Sequence, residues 1–410
     1  MKKYIKKLCI FFAVTSIFPL KAMLPAVVQT DEIPGMPLAP ISDGNGHNEG
    51  TSSDRTVVPP PPCWSITSHP PVFISARPPE PPAEASDPGD TMPWMPPGFA
   101  TTEVRTILVL DGGGCRGIIP LRYVLKLGLT SDNVDMFVGT SVGALIGAAL
   151  MLDKQQTLYD HFPGLCQEIF RRNSTGLFSP RYSSETLLNV LRRFVDHRMT
   201  FSQLKGDSVI TWYDAARKSF AAMLSWSTEA AKMALVNAIA SSSAAPTYFC
   251  AQEGRLDGGL AANTPIDLGI LAARNRYPEA LLNVIHLGTG AELVPQGVPR
   301  HGEGMIGWAP MIIDTLFDAQ ASASMVRAQM TIDNDGRITV VHLNPVLLHS
   351  EMDMNDCSAA AYDGRIAAAE AYTRVGAPGE DALARALEMR VAADERFRQR
   401  TAPANAATGP

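Results

Sequence analysis

The stretch Val138-Gly139-Thr140-Ser141-Val142-Gly143 decides how the rest of this chain is interpreted. It places a serine between two glycines, after the apolar run Val134–Val138 and before the apolar run Ala144–Leu152. The first run predicts a buried strand and the second predicts a helix. Ser141 therefore stands at a strand-to-helix corner, where Gly139 and Gly143 relieve crowding in a sharp turn and the helix N-terminus favours negative charge. A serine presented in this way is a candidate nucleophile.

A glycine-rich loop, Asp111-Gly112-Gly113-Gly114-Cys115-Arg116-Gly117, lies between the predicted strand Thr106–Leu110 and a predicted helix, Ile118–Leu129. Consecutive glycines let backbone N–H groups converge on an anion at a helix N-terminus. If Ser141 attacks an ester carbonyl, Gly113 and Gly114 are the best candidates to stabilise the oxyanion, and one such donor is worth about 2.7–4 kcal/mol of barrier. Arg116 adds a positive charge that orients the loop, attracts a phosphate head group or forms a structural salt bridge. Gly112 and Gly117 complete the candidate site loop.

The same glycines, Gly112-x-Gly114-x-x-Gly117, also fit the dinucleotide-binding fingerprint. That fold needs an acidic residue at the end of the second strand to hold the ribose. Asp132 and Asp135 lie near the expected distance, but they precede or open the second strand, which ends in the serine corner instead. The pattern therefore favours a loop that stabilises an oxyanion.

A nucleophilic serine needs a base within hydrogen-bond reach. An α/β-hydrolase supplies an acidic residue and then a histidine after the serine, and the later histidines here are His286, His301, His342 and His349. His286 and His342 lie in apolar strand patterns, where packed histidines are commoner, and the other two lie in loop-like sequence. Asp257 is a better candidate, because Gly258 and Gly259 after it mark a tight turn. An aspartate has an ordinary pKa near 3.9, so this base needs desolvation or a short hydrogen bond to the serine.

The composition limits the classes of protein to consider. The 410 residues carry a formal net charge of −6, which gives no electrostatic footprint for nucleic acid, and a hydrophobic content of 46% supports a large core. Residues 1–22 have the pattern of a signal peptide, with four lysines before the apolar run Leu8–Leu20. We expect a protein exported to the periplasm or the extracellular space; cleavage after Ala22 and an uncleaved anchor are both open.

Two further segments and the cysteines give predictions. Residues 23–103 predict a disordered arm that serves as a spacer or as a polyproline ligand, because 17 of the 32 prolines lie between Pro34 and Pro97. Residues 376–410 predict a solvated helix, Ala382–Arg398, and a disordered tail. The six cysteines show no Cys-x-x-Cys spacing and no histidine at a zinc spacing, so we predict buried thiols, no metal site and no disulfide framework.

Residues 104–375 alternate strand and helix patterns, which predicts an α/β domain with three α/β/α layers and a mainly parallel central sheet. Reactive groups in such a sheet gather beyond the carboxyl ends of the strands, so the glycine-rich loop and Ser141 can meet. The later predicted elements are three strands at Ser208–Tyr213, Leu282–Leu287 and Ile338–Leu343, and two helices at Glu229–Ser242 and Met311–Met330.

Three of these motifs together resemble the patatin-like phospholipase family. They are the glycine-rich loop Asp111–Gly117, the serine corner Gly139–Gly143 and the element Asp257–Gly259, in the family's order. The segments Ser241–Phe249 and Ala262–Pro265 also resemble what precedes and follows the family's dyad aspartate.

The resemblance implies a Ser141–Asp257 dyad without a catalytic histidine, and hydrolysis of membrane or neutral lipid esters without a metal or other cofactor. Ser141 is then the nucleophile, Asp257 accepts its proton, the Gly113 and Gly114 amides stabilise the oxyanion, and water cleaves the acyl-enzyme. A phospholipid or other acyl lipid is the implied substrate, with peripheral contact to a membrane. The apolar run Met305–Ile313 lines an acyl channel, touches the membrane or packs in the core. A Ser-His-Asp esterase and a non-catalytic lipid-binding or storage protein are the alternatives.

Overall fold

A computed structural model of the chain describes residues 103–174, 179–292 and 312–401. The predicted signal peptide, proline-rich arm and tail lie outside the described residues, as does most of the apolar run Met305–Ile313. Within the described residues, Cys115 and Cys357 form a disulfide. The expectation of free buried thiols was therefore wrong for this pair. Cys166 is a buried thiol, and Cys250 is an exposed one.

A mainly parallel sheet forms the middle of the domain, as predicted. The strand bounds are β1 (Val104–Leu110), β2 (Met136–Gly139), β3 (Asp207–Asp214), β4 (Ser219–Leu224), β5 (Arg255–Asp257), β6 (Leu281–Leu287), β7 (Ala291–Glu292), β8 (Ile338–Leu343) and β9 (Val346–Leu347). The strands of the sheet follow the order β4-β3-β2-β1-β6-β8, with β5 paired to β3. All neighbours in this order are parallel except β4, which runs antiparallel to β3, as does β5. Strands β7 and β9 form a separate parallel pair.

Helices cover both faces of the sheet, and each face has its own apolar core. The larger core contains Phe137, Phe162 and Tyr123, and the smaller one contains Val138 and Ile270. Among the described helices, none is long and apolar enough to cross a membrane. The helix bounds are α1 (Ile118–Leu127), α2 (Val142–Met151), α3 (Gln155–Ile169), α4 (Ser184–Phe194), α5 (Leu235–Ser242), α6 (Gly259–Ala262), α7 (Ile266–Arg276), α8 (Ile312–Asn334), α9 (Ala359–Tyr372) and α10 (Glu380–Thr401).

The order in which strands are added to the sheet reverses at β1, and this reversal determines where the site lies. The chain adds β2 and β3 on one side of β1 and later adds β6 and β8 on the other. In open α/β sheets, the crevice outside the carboxyl ends of the strands at such a switch point is where ligands bind. The loop after β1 and the corner after β2 both lie at that edge.

The terminal helix α10 differs from its prediction, because one of its faces is buried. Ala386 is fully buried and Met389 is 4% exposed. The Asp394 carboxylate accepts a hydrogen bond from the Asn133 side chain at 2.9 Å, and Arg396 lies 3.5 Å from the Asp135 carboxylate. The helix therefore packs against the domain instead of standing in solvent.

Candidate active site

Ser141 occupies a strained corner between β2 and α2. It is the N-cap residue of α2, and its φ of 54° lies in a region that non-glycine residues rarely adopt. A side chain at Gly143 would collide with the carbonyl oxygen of Leu110, and a Cβ at Gly139 would lie 2.6 Å from the carbonyl carbon of Gly143. The two glycines thus allow the backbone to fold tightly enough to present the serine hydroxyl.

Asp257 reaches Ser141 from the last residue of β5. Its side chain is 3% exposed. Its Oδ1 atom accepts a hydrogen bond from the Gly259 N–H at 2.7 Å, and the Ser141 hydroxyl lies close enough to the carboxylate to lower its pKa. The two residues are 116 positions apart in the sequence, and β5 brings them together by pairing with the outer part of β3.

Burial changes the chemistry of Asp257. Loss of water around the carboxylate raises the pKa of Asp257 to about 7, and the hydrogen bonds from Gly259 and Ser141 act in the opposite direction. A carboxyl group with a pKa near neutrality is a much better proton acceptor for a serine than an ordinary aspartate, because general-base catalysis is most effective when the pKa lies near the operating pH.

The glycine-rich loop lies beside Ser141, since a Cβ built on Gly112 would be 3.5 Å from the Ser141 Cβ. The Gly112 N–H donates to the Asn263 carbonyl at 3.0 Å, and the Gly112 carbonyl accepts from the Thr289 hydroxyl at 2.8 Å. The next fixed amide is that of Cys115, which donates to the Met354 carbonyl at 2.7 Å. The loop is therefore held on both sides of Gly113 and Gly114.

The amides of Gly113 and Gly114 donate to no acceptor among the residues that the structure describes. Gly114 has a φ of +56°, and a Cβ there would lie 2.5 Å from the Met354 carbonyl oxygen, so only glycine fits without displacement. Both residues line the same cavity as Ser141. Two free donors beside a nucleophile are what an oxyanion requires.

Arg116 and Gly117 pack against neighbouring residues and do not line the cavity. The Arg116 side chain turns inward, where its Nη1 atom contacts the Met352 sulfur at 3.7 Å, and it is not one of the residues that line the cavity. Burial raises the pKa of the Asp318 carboxyl, and the positive charge of Arg116 acts to lower it. A side chain at Gly117 would collide with Val142. Of the three interpretations of Arg116, contact with a lipid head group has the least geometric support.

An apolar cavity is lined in part by Ser141 and Asp257. Apart from a few polar residues, its walls are apolar and come mainly from α3, α4 and α5. They include Phe162, Ile169, Phe170, Leu187, Leu191 and Ile239. An apolar cavity with a few convergent polar groups is typical of a small-molecule site, and these walls suit a hydrocarbon chain.

The candidate histidines that the structure describes contact residues other than Ser141. His286 Nε2 lies 2.7 Å from Asp111 Oδ1, and His286 Nδ1 lies 2.8 Å from His342 Nδ1. Burial, together with the neighbouring His286, holds the pKa of His342 well below its ordinary value. His349 contacts Glu292, and His301 lies outside the described residues. Among the described histidines, none bonds to Ser141, so the geometry gives no support to a Ser-His-Asp triad.

Two residues at the site received no role from the sequence. Ser242 accepts a hydrogen bond from the Ser141 N–H at 2.8 Å, and Asn263 lines the cavity with its side chain. Both lie in segments whose family resemblance was noted, but a resemblance of segments does not say which side chain faces the nucleophile. Within the described residues, we find no group of three or more His, Cys, Asp or Glu side chains arranged to hold a metal ion.

Comparison with known proteins shows which family this chain is similar to. Residues 108–270 match the family model described as patatin-like phospholipase. The chain is 26% identical over 325 residues to a cGAMP-activated phospholipase of Vibrio cholerae, a match that covers 65% of this chain and 91% of that protein. It is 27% identical over 224 residues to the calcium-independent phospholipase A2-gamma of Oryctolagus cuniculus, which covers 45% of this chain but only 28% of that relative's length. The crystal structure of VipD from Legionella pneumophila aligns with a TM-score of 0.34 and 11% identity, over 65% of this chain and 67% of that one.

Proposed function

Because residues 108–270 match the family model described as patatin-like phospholipase, we propose that this chain is a lipid acyl hydrolase of the phospholipase A type. The observation that carries the proposal is a serine hydroxyl beside a buried carboxylate, with both residues lining an apolar cavity. The cavity would hold the acyl chain and bring its ester carbonyl to Ser141. The apolar walls of the cavity favour a substrate with a hydrocarbon chain over a small polar ester.

In the proposed reaction, the Ser141 oxygen attacks the ester carbonyl while Asp257 accepts the serine proton. The carbonyl oxygen becomes negative and receives hydrogen bonds from the Gly113 and Gly114 amides. Asp257 then returns the proton to the leaving alcohol, and an acyl-enzyme remains on Ser141. Water attacks this ester with Asp257 again as the base, which releases the fatty acid and restores the serine.

Incubation of the full chain with phospholipid vesicles, with calcium chelated, tests the proposal. We expect fatty acid release by the wild type and a loss of more than about 10³-fold in Ser141→Ala, because removal of a serine nucleophile is among the largest single losses known in hydrolases. His342→Ala should keep most of the activity. Full loss of turnover in a folded His342→Ala variant would favour the histidine-dependent esterase, and a wild type unreactive towards fluorophosphonate would favour the lipid-binding protein.

Peripheral contact with a membrane is part of the proposal and rests on the start of α8. Ile312 and Leu316 are 48% and 43% exposed there, and the adjacent Phe317 lines the cavity. Insertion of one leucine into a bilayer is worth about 1.5–3 kcal/mol. We therefore expect Leu316→Glu to lower hydrolysis of vesicles by about tenfold and to leave a soluble short-chain ester unaffected.

The matched control for this contact is Leu271→Glu, because Leu271 is 59% exposed on α7 and does not line the cavity. It should leave both substrates unaffected. Equal losses on vesicles in the two variants, or a loss on the soluble ester in Leu316→Glu, would contradict membrane contact at α8.

Export is proposed as well, to the periplasm or beyond the cell. The lysine-rich start with its apolar run supports it, and so does the Cys115–Cys357 disulfide, since disulfides persist mainly in oxidising compartments. Cell fractionation with detection of the protein in each fraction is the test. A protein found entirely in the reducing cytosol, with Cys115 and Cys357 as free thiols, would count against export.

A further inference from the structure

The segment that ends α5 makes hydrogen bonds to both members of the reacting pair. The Ser242 side-chain oxygen accepts from the Ser141 N–H at 2.8 Å, and the Ser242 carbonyl accepts from the Gly258 N–H at 3.2 Å. Two residues later, the Ala244 carbonyl accepts from the Asp257 N–H at 3.0 Å. One short stretch of backbone therefore contacts the nucleophile on one side and the aspartate turn on the other.

We propose that Ser242 is a positioning residue that sets the separation of the Ser141 hydroxyl from the Asp257 carboxylate. Its side chain holds the nucleophile and its carbonyl holds the turn that carries the base. The inference rests on the proposed function and adds to it a residue that touches neither the substrate nor the reacting atoms.

The backbone of Ser141 explains why this position needs such support. Its φ of 54° is unfavourable for a residue with a side chain, so the corner persists only where neighbouring groups hold it in place. The hydroxyl of Ser242, which is fully buried, is the acceptor for the Ser141 amide. With alanine at position 242, that amide loses its acceptor and the corner is free to relax. Displacements of about 1 Å in an active site are enough to lower rates by about 100-fold.

The chain supplies a matched control one residue earlier. Ser241 is also fully buried, in the same helical turn, but its hydroxyl has no hydrogen-bond partner among the described residues. Ser241→Ala therefore removes the same atom from the same core without removing a contact to the site. A comparison of the two alanine variants separates positioning from packing.

The first measurement uses two substrates on the full chain. We expect Ser242→Ala to lower kcat for phospholipid vesicles by about 10- to 100-fold with KM changed less than about twofold, since the cavity is unaltered. The rate of covalent labelling by a fluorophosphonate should fall by a similar factor. Ser241→Ala should match the wild type in all three quantities.

The second measurement is the pH dependence of kcat/KM, because the pH at which its acidic limb falls is independent of the fraction of protein that is folded as long as that fraction is the same at each pH. The Ser141 hydroxyl bond acts to lower the pKa of Asp257. If Ser141 moves away in Ser242→Ala, that pKa rises, and the acidic limb of the profile shifts to higher pH. The limb should not move in Ser241→Ala.

An unshifted acidic limb in Ser242→Ala, or equal losses of kcat in the two variants, would overturn the positioning role. A wild type that reacts with fluorophosphonate but releases no fatty acid would overturn the proposed function alone, because the labelling rates of the two variants would still report on Ser242. A wild type inert towards both reagents would overturn both.

Discussion

Asp111 directly follows one strand of the central sheet and Asp257 ends another; three glycines follow Asp111 and two follow Asp257. Their side chains are similarly buried, at 6% and 3% exposed. The surroundings differ: Asp111 contacts an imidazole and a hydroxyl within the packed domain, whereas Asp257 faces an apolar cavity and a single serine. The comparison shows that an Asp-Gly-Gly sequence alone does not determine the role of its carboxylate, which depends on the groups around it.

The Asp111 turn is a closed hydrogen-bond network. Its carboxylate accepts from the Thr264 hydroxyl at 2.8 Å and lies 2.7 Å from His286 Nε2. Each oxygen of the Asp111 carboxylate therefore has a partner, and so does each ring nitrogen of His286, because His286 Nδ1 lies 2.8 Å from His342 Nδ1. Buried polar groups that are fully satisfied in this way rigidify a structure, and here the rigid element is the base of the glycine-rich loop.

The Asp257 turn is open by comparison. Among the residues that the structure describes, the groups that act on its carboxylate are the Gly259 amide and the Ser141 hydroxyl, and none of them is cationic. Burial without a counter-charge is what raises the pKa of Asp257 to about 7. Burial of the ionised carboxylate lowers the stability of the folded protein, and the same burial raises the pKa that makes Asp257 suitable as a base.

The largest expected effect separates the two aspartates by activity. Asp257→Asn keeps an oxygen for the Gly259 amide but removes the base, so we expect kcat/KM to fall by about 10³-fold, within the usual range for a general base. Asp111→Asn should lower it by less than about tenfold, because Asp111 contacts neither Ser141 nor the cavity. Hydrolysis of a soluble ester, with circular dichroism as the folding check, measures both. Equal losses in two folded variants would erase the distinction drawn between the turns.

Sequence patterns predicted the mainly parallel sheet and drew attention to both aspartate turns. The predicted strand Ile338–Leu343 agrees with β8 at both ends, because a run rich in β-branched and apolar residues is a strong strand signal. The antiparallel strand β4 was missed, since Ser219–Leu224 is exposed or half-buried and has no β-branched residue. The predicted helix Glu229–Ser242 begins six residues later than expected, at Leu235, because the residues before it form turns.

Contacts between distant segments could not be predicted in the same way. The disulfide joins cysteines 242 positions apart, and their spacing gives no hint of pairing. The role of Ser242 depends on which hydroxyl of Ser241, Ser242 and Ser243 faces the Ser141 amide, and that is set by the packing of α5. The buried face of α10 was hidden by its mixed charges, which pair with residues such as Asp135 across the domain. Local periodicity carries no information about such partners.

A smaller effect concerns stability and has a defined sign. Burial raises the pKa of Asp257 from its ordinary 3.8 to about 7. The folded protein therefore keeps a proton that the unfolded chain loses between about pH 4 and pH 7, and the free energy of unfolding falls as the pH rises through this window. At 1.36 kcal/mol for each pKa unit, this loss amounts to at most about 4 kcal/mol.

Asp257→Asn removes this titration and should therefore have a flatter stability profile than the wild type. Urea unfolding at pH 5 and at pH 8 should show similar stability for the two proteins at the lower pH and a more stable variant at the higher pH. Asp111→Asn should lose stability, because His286 and Thr264 lose a charged acceptor. If the Asp257→Asn variant were no more stable than the wild type at pH 8, burial would not destabilise the ionised carboxylate of Asp257 in the folded protein. Burial would then not explain why Asp257 is a suitable base.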